Sequence, residues 1–252
     1  MFLQAIINGA EKPGPTHQSF KCKDSGNFKS NDLLTCRDDA FKSLYKSMGK
    51  PGRYTGFDSS FDTNAQMHGV WTYALCPPNI KMEACLECFN NTIPYLIKNC
   101  PKQKEGVAWT ALPKVTCILR YADYSIHGDF AEWAWTSFST PPNETSANVA
   151  ELEKGLTLLA NNLKEKAAGG DNNKKFTSGA IPYGPGAGNA WPLYGYMQCT
   201  PGISKDKCIK CLNDANRFIH NCCGKGRKLS AIALSTNCYF WCAHMDFSPK
   251  KL

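Results

Sequence analysis

The stretch Cys76-Pro-Pro-Asn-Ile-Lys-Met-Glu-Ala-Cys85-Leu-Glu-Cys88 returns later in the chain as Cys199-Thr-Pro-Gly-Ile-Ser-Lys-Asp-Lys-Cys208-Ile-Lys-Cys211. All three cysteines shift by the same 123 positions, and the copies also share Pro78 with Pro201, Ile80 with Ile203, and an acid at Glu83 or Asp206. A C-x8-C-x2-C hook repeated at about half the chain length marks an internal duplication. The chain is therefore read as two copies of one small domain, each built round its hook.

The composition fits that division. With 252 residues, 42% of them apolar, the chain has room for two domains of roughly 100 to 120 residues each. Fourteen cysteines at repeating spacing read as a disulfide framework made in an oxidising compartment, and secretion is the first inference. The run Met1–Ala10, apolar and ending in small residues, resembles the tail of a secretory signal with cleavage after Ala10; a disordered leader is the alternative. No apolar run approaches the ~20 residues needed to cross a bilayer. The excess of 29 basic over 21 acidic residues favours loose attraction to acidic polymers. It is dispersed as single lysines and lysine pairs, which points to a solvated surface and away from a nucleic-acid partner.

Residues 1–19 are read as leader, 20–127 as the first domain, 128–144 as a linker, 145–247 as the second domain and 248–252 as a tail. In the first domain Cys22 lies in a polar, turn-rich opening. Leu33, Leu34, Ala40, Phe41, Leu44, Tyr45 and Met48 then recur at helical spacing between Asn31 or Asp32 and the stop at Gly49 and Pro51. Val70, Trp71, Tyr73 and Leu75 predict a strand running into Cys76. Glu83 to Cys100 reads as a second helix, with Cys85, Cys88, Thr92 and Leu96 on one side and a kink at Pro94. Strands follow around Val107–Trp109 and Val115–Tyr121, where period two puts Cys117 on the face the helices cover.

The stretch from His127 to Asn143 is aromatic and loop-like. Its Trp133, Trp135 and Phe138, with Trp191 beside the Gly/Pro-rich segment from Ile181 to Pro192, are either packing between the domains or anchors for a sugar or protein. The second domain repeats the plan. A helix carries Val149, Leu152, Leu156, Leu159 and Leu163 and ends at Gly169-Gly170; a strand runs from Leu193 to Gln198; a helix follows the hook, capped by Gly224; and strands lie around Leu229–Leu234 and Cys238–Asp246. The fold class is α+β: two tandem domains, each an antiparallel sheet with two helices on one face.

Motifs for chemistry are scarce. Two C-x2-C pairs suggest a four-thiolate zinc site only if the thiols stay reduced and each hook's outer cysteine is ignored. A thioredoxin-like reading lacks its βαβ setting. The five histidines, His17, His68, His127, His220 and His244, sit in no recognised catalytic motif, and no G-x-S-x-G, H-E-x-x-H or phosphate-cradling loop is present. The sequence implies no catalytic residue, cofactor or metal. Asn90-Asn-Thr and Asn143-Glu-Thr are glycosylation acceptors, Asn143 in a loop and Asn90 on a helix.

Taken together, Cys22-Lys-Asp-Ser-Gly-Asn-Phe, the doubled hook, Cys117-Ile-Leu-Arg-Tyr, Tyr194-Gly-Tyr-Met-Gln-Cys199-Thr-Pro and Cys222-Cys223-Gly-Lys resemble the plant ginkbilobin-type (stress-antifungal) domain. The likeness is to its tandem form, found in cysteine-rich repeat secretory proteins, cysteine-rich receptor-like kinase ectodomains and plasmodesmata-located proteins, and it covers about residues 20 to 247. It implies the pairs Cys76–Cys85, Cys199–Cys208, Cys88–Cys117, Cys211–Cys238 and Cys22–Cys100, leaving Cys36, Cys222, Cys223 and Cys242 unassigned. The family's mannose positions fall here on Lys23, Ala111 and Ala122, and in the second unit on Ile232 and Ala243. None matches the required Asn, Arg and Glu, and alanine offers a sugar hydroxyl no partner. Arg120 or Asp123 could serve a shifted site, although a charge at a strand edge is usually just solvated.

The resemblance implies a secreted, apoplastic, non-enzymatic module of plant defence or stress response. Such a module binds a cell-wall or fungal carbohydrate, with antifungal action possible. The alternative is a cell-surface or plasmodesmal ectodomain that binds a protein partner.

Overall fold

A computed structural model describes residues 17–52, 54–65, 68–112, 115–139, 149–171, 174–184, 191–221 and 230–244. The first unit runs β1 (His17–Cys22), α1 (Asn31–Met48), β2 (Phe57–Thr63), β3 (Gly69–Leu75), α2 (Met82–Asn99), β4 (Glu105–Leu112) and β5 (Val115–Ala122). The second runs β6 (Trp135–Ser139), α3 (Val149–Ala168), β7 (Lys175–Tyr183), β8 (Trp191–Cys199), α4 (Lys205–Ile219), β9 (Ser230–Ser235) and β10 (Cys238–Ala243). Each forms a five-stranded antiparallel sheet, ordered β1-β4-β5-β3-β2 and β6-β9-β10-β8-β7. The two orders match strand for strand, as a duplication requires.

The helices form where apolar residues recur every three or four positions. Cys36, Ala40, Phe41, Leu44 and Met48 make the buried stripe of α1, and Cys85, Cys88, Phe89, Thr92 and Leu96 that of α2. Pro94 lies inside α2, where its ring removes one backbone donor from the helix ladder. Ser204 starts α4 by accepting a hydrogen bond from the Lys207 amide at 3.3 Å. Five disulfides fasten these elements: Cys22–Cys100, Cys76–Cys85, Cys88–Cys117, Cys199–Cys208 and Cys211–Cys238. The C-x2-C sulfurs are thereby consumed as disulfides. Cys36 is a buried free thiol on α1, and Cys242 is buried in the second core. Cys222, Cys223, Gly224, Asn143 and the Met1–Ala10 run lie outside the described residues.

Four strands differ from the sequence expectation. β1 begins at His17, inside the segment read as leader; β6 lies inside the stretch read as a loop-like linker; β2 precedes the strand expected before Cys76, and β7 stands where no strand is expected. All four are outer strands of their sheets, partly solvated along their length, so their side chains need not alternate sharply. In β7 the glycine has a packing reason. A Cβ on Gly179 would come within 3.1 Å of Leu163 Cδ2 on α3, and one on its partner Gly195 of β8 within 2.7 Å of Leu163 Cδ1, so bare backbone lets the helix approach.

The second face of each sheet is also covered. Ala108, Cys117, Leu119 and Tyr121 pack toward the helices. Tyr73, Leu75, Trp109, Ile118 and Ala122 pack instead against Tyr196, Ile232, Leu234 and Tyr239 of the other sheet. The molecule is thus layered helix–sheet–sheet–helix, and β5 is buried along its whole length because both its faces are dry. Polar bonds cross the seam: the Trp109 indole donates to the Ser235 carbonyl at 2.7 Å, the Gln198 amide to the Cys76 carbonyl at 3.0 Å, and the Tyr73 hydroxyl to the Thr236 carbonyl.

Candidate functional site

Where the two sheets part, a cleft opens. Phe57, Ser59 and Phe61 alternate onto one face of β2 and pair with Leu75, Tyr73 and Trp71 of β3. The second sheet does not reach Phe61, which stays 44% exposed with its ring 4.1 Å from that of Trp71. Gly69 makes this possible, since a Cβ there would lie 2.2 Å from Phe61 Cε2. The far wall comes from Ile126, His127 and Gly128 and from Thr200 and Gly202 of the second hook, enclosing a cavity of about 160 Å³. Gly128 has φ +69°, and a Cβ there would meet the Gly202 carbonyl oxygen at 3.1 Å. Both the dihedral and the close approach reserve the position for glycine.

A buried polar network fixes that wall. Arg120, on β5, and Glu105, on β4, are both wholly buried. Arg120 donates to Glu105 Oε1 through Nε at 3.1 Å and Nη2 at 2.6 Å, and to Asp129 at 2.8 Å. Glu105 further accepts from Lys23 at 2.8 Å, the Tyr124 hydroxyl at 2.9 Å and the Trp133 indole at 2.9 Å. Burial alone raises the Glu105 carboxyl, but the Lys23 hydrogen bond and the Arg120 charge outweigh it and hold the group below its ordinary value. Asn237, 1% exposed, completes the wall. Its amide donates to the Asp129 carbonyl at 2.9 Å and to Thr200 Oγ1 at 3.1 Å, and its oxygen accepts from the Ala131 amide at 2.9 Å.

The sequence candidates scatter. Arg120 is engaged with two carboxylates, and Asp123 pairs with Lys104 at 2.9 Å, so neither is free for a shifted mannose site. Ala122 is fully buried and Lys23 is held by Glu105. Trp133 joins the network, Phe138 packs on the seam, Trp135 stacks on Phe218 at 4.9 Å, and Trp191, 56% exposed, lies 6.0 Å from Tyr183 at the far end of β8. Asn90 is exposed on α2. The cleft residues Phe61, His127 and Gly202 went unread because no short-range pattern links β2, the loop after β5 and the second hook.

Residues 20–124 and 139–244 each match the salt stress response/antifungal domain. The chain belongs to that family. It carries the family's domain twice, and its relatives in Arabidopsis thaliana include cysteine-rich receptor-like protein kinase 29, 29% identical over 81% of this chain. Cysteine-rich repeat secretory protein 38 is 28% identical over 81% of this chain and 75% of its own length. The chain spans only 29% of the length of kinase 29. Among solved structures it resembles the tandem DUF26 ectodomains of the Arabidopsis cysteine-rich receptor-like proteins PDLP8 and PDLP5. The TM-scores are 0.64 and 0.60, each at 18% identity and over 89% of this chain. Those likenesses cover 96% and 97% of the solved chains, so the paired-sheet fold is shared throughout. Among the described residues no helix is long and apolar enough to cross a membrane.

Proposed function

We propose that this chain works outside the cell as a non-enzymatic recognition module of plant defence or stress response, and that the cleft between the first sheet and the second hook takes one pyranose ring of a saccharide. The secreted and ectodomain relatives support the location, as do five disulfides in a described framework. The observation that carries the ligand reading is the Phe61–Trp71 pair, an exposed Phe61 ring against a half-buried Trp71 at a cavity also lined by Ser59 and His127. Aromatic faces accept the C–H face of a sugar while short polar groups orient its hydroxyls. At about 160 Å³ the cavity is smaller than the ~300 Å³ of ordinary drug-sized sites. It suits a single ring, with the rest of a chain lying outward over Phe61.

Glycan-array binding, repeated at low and physiological salt, tests this reading. Binding to one sugar class that survives salt supports it; binding that vanishes with salt is basic attraction alone. Phe61→Ala is expected to weaken the saccharide about 2- to 10-fold, the worth of one aromatic contact, with the fold retained. Silence across the array favours the protein-partner reading that the receptor-like relatives suggest.

A further inference from the structure

The duplication provides an internal comparison on the outer, helical faces. Between α1 and α2 lies an open groove of about 450 Å³, lined by Phe41, Lys42 and Tyr45 from one helix and Asn90, Ile93 and Ile97 from the other. Tyr45 is 38% exposed. The position equivalent to Asn90, 123 residues on, is Asn213 of α4. There the gap is bridged by protein, since Lys164 of α3 donates to Asn213 Oδ1 at 3.3 Å. The acceptor triplet Asn90-Asn91-Thr92 becomes Asn213-Asp214-Ala215 in the second unit, without the hydroxyl. The unit with the open groove is thus the one whose helix carries an acceptor asparagine on the groove's rim.

Thr92 adds an order of events. It is wholly buried, and its hydroxyl is held by the Cys88 carbonyl at 2.6 Å and by Thr110 Oγ1 at 2.7 Å, beside the Cys88–Cys117 bridge. Once that bridge has closed and α2 has docked, the triplet is helical and its hydroxyl hidden. We infer that Asn90 receives an N-linked glycan on the nascent chain, before Cys88 pairs with Cys117, and that the proximal N-acetylglucosamine rings settle into the α1–α2 groove. In the transfer, Asn90 Nδ2 gives up one proton and bonds to the anomeric carbon of a lipid-diphosphate-linked oligosaccharide, while the anomeric C–O bond breaks and the lipid diphosphate leaves with its electron pair. The tether supplies an effective concentration in the mM range, so weak contacts of the N-acetyl and ring C–H groups with Tyr45 and Ile97 suffice. The lysine stems beside them add apolar cover.

The inference rests on the extracellular reading only through the compartment where the transfer occurs. Its test is glycopeptide mass spectrometry of the full chain secreted from plant cells, with an Asn90→Gln variant and nuclear Overhauser spectra between sugar and protein. The expected result is an occupied Asn90, contacts from its first two sugar rings to Tyr45 and Ile97, and higher occupancy in Cys117→Ser, where docking is delayed. Removing the glycan should shift the Tyr45 ring resonances, and Asn90→Gln, an exposed change, should fold and be secreted. A secreted, disulfide-bonded chain with bare Asn90 overturns the inference and leaves the extracellular reading standing. A chain that never reaches the secretory pathway overturns both. An occupied Asn90 whose sugars touch neither helix overturns the seating, and occupancy unchanged in Cys117→Ser overturns the timing.

Discussion

Replacing Cys22 and Cys100 together with serine is expected to cost more stability than replacing Cys76 and Cys85 together, although the second pair sits in the hook that defines the fold. The bridges span sequence separations of 78 and 9 residues. A cross-link stabilises largely by denying the unfolded chain its freedom, so chain-entropy arithmetic assigns about 4.5 kcal/mol to the long loop and about 2.7 kcal/mol to the short one. The structure adds a reason in the same direction. Cys22 ends β1, an edge strand held by β4 alone, and Cys100 caps α2, so the bridge fastens an edge to the helical layer. The difference of about 1.8 kcal/mol corresponds to a melting midpoint roughly 4 to 7 °C lower for the long-bridge variant. Thermal unfolding of the two double variants measures it, and a hook variant that melts first would contradict the account.

The second large effect is expected at Glu105. Glu105→Gln removes the carboxylate facing a wholly buried Arg120 and leaves a guanidinium short of compensation, a change that typically costs about 3–5 kcal/mol. Asp129 still reaches Arg120 at 2.8 Å, which places the expectation at the lower end of that range. Adding Arg120→Met should restore much of the loss, because the stranded charge goes too. Denaturant unfolding of the single and double variants checks this. A Glu105→Gln protein as stable as the parent would mean the network does not bear on the fold.

The network also sets a pH dependence. Glu105 has a folded-state value below its ordinary 4.5, so its contribution is present above that value and lost as pH falls through the lower, folded one. His244 acts in a separate window. Burial lowers it from 6.5 to about 4, so between those values the unfolded chain binds a proton that the folded chain refuses, and stability falls as the pH drops. Unfolding midpoints measured from pH 7 to 3 should therefore decline in two stages. His244→Asn is expected to reduce the upper stage, to which His220, also lowered by burial, contributes, and Glu105→Gln the lower.

Much of the first layer was legible. The 123-residue offset announced two units, and the buried stripes of α1 and α2 follow the three-and-four spacing of Phe41, Leu44, Cys88 and Phe89 because a helix facing one sheet must bury one stripe. The second layer was not. Arg120 reads as a solvated charge on a strand, since period two alone cannot tell a face open to water from one against another sheet. Ile118 and Ala122, two residues either side on the same face, were the available sign that the face is dry. The cleft is further out of reach: Phe61 meets Trp71 across a hairpin, but Gly128 meets Gly202 only because two sheets stack, and stacking is a property of whole surfaces. The edge strands β1, β2, β6 and β7 were missed for the opposite reason, since little of each is buried and so little is constrained.

The cleft between the first sheet and the second hook is the claim on which the functional reading stands. The most direct measurement is a two-dimensional amide and indole NMR titration of the intact chain with the saccharide selected on the array. The account predicts that the Trp71 indole and the Gly128 and Gly202 amides shift together on a single isotherm, while the Trp191 and Trp135 indoles stay fixed. Shifts confined to Trp191, or absent from Trp71 at saturating sugar, would contradict it.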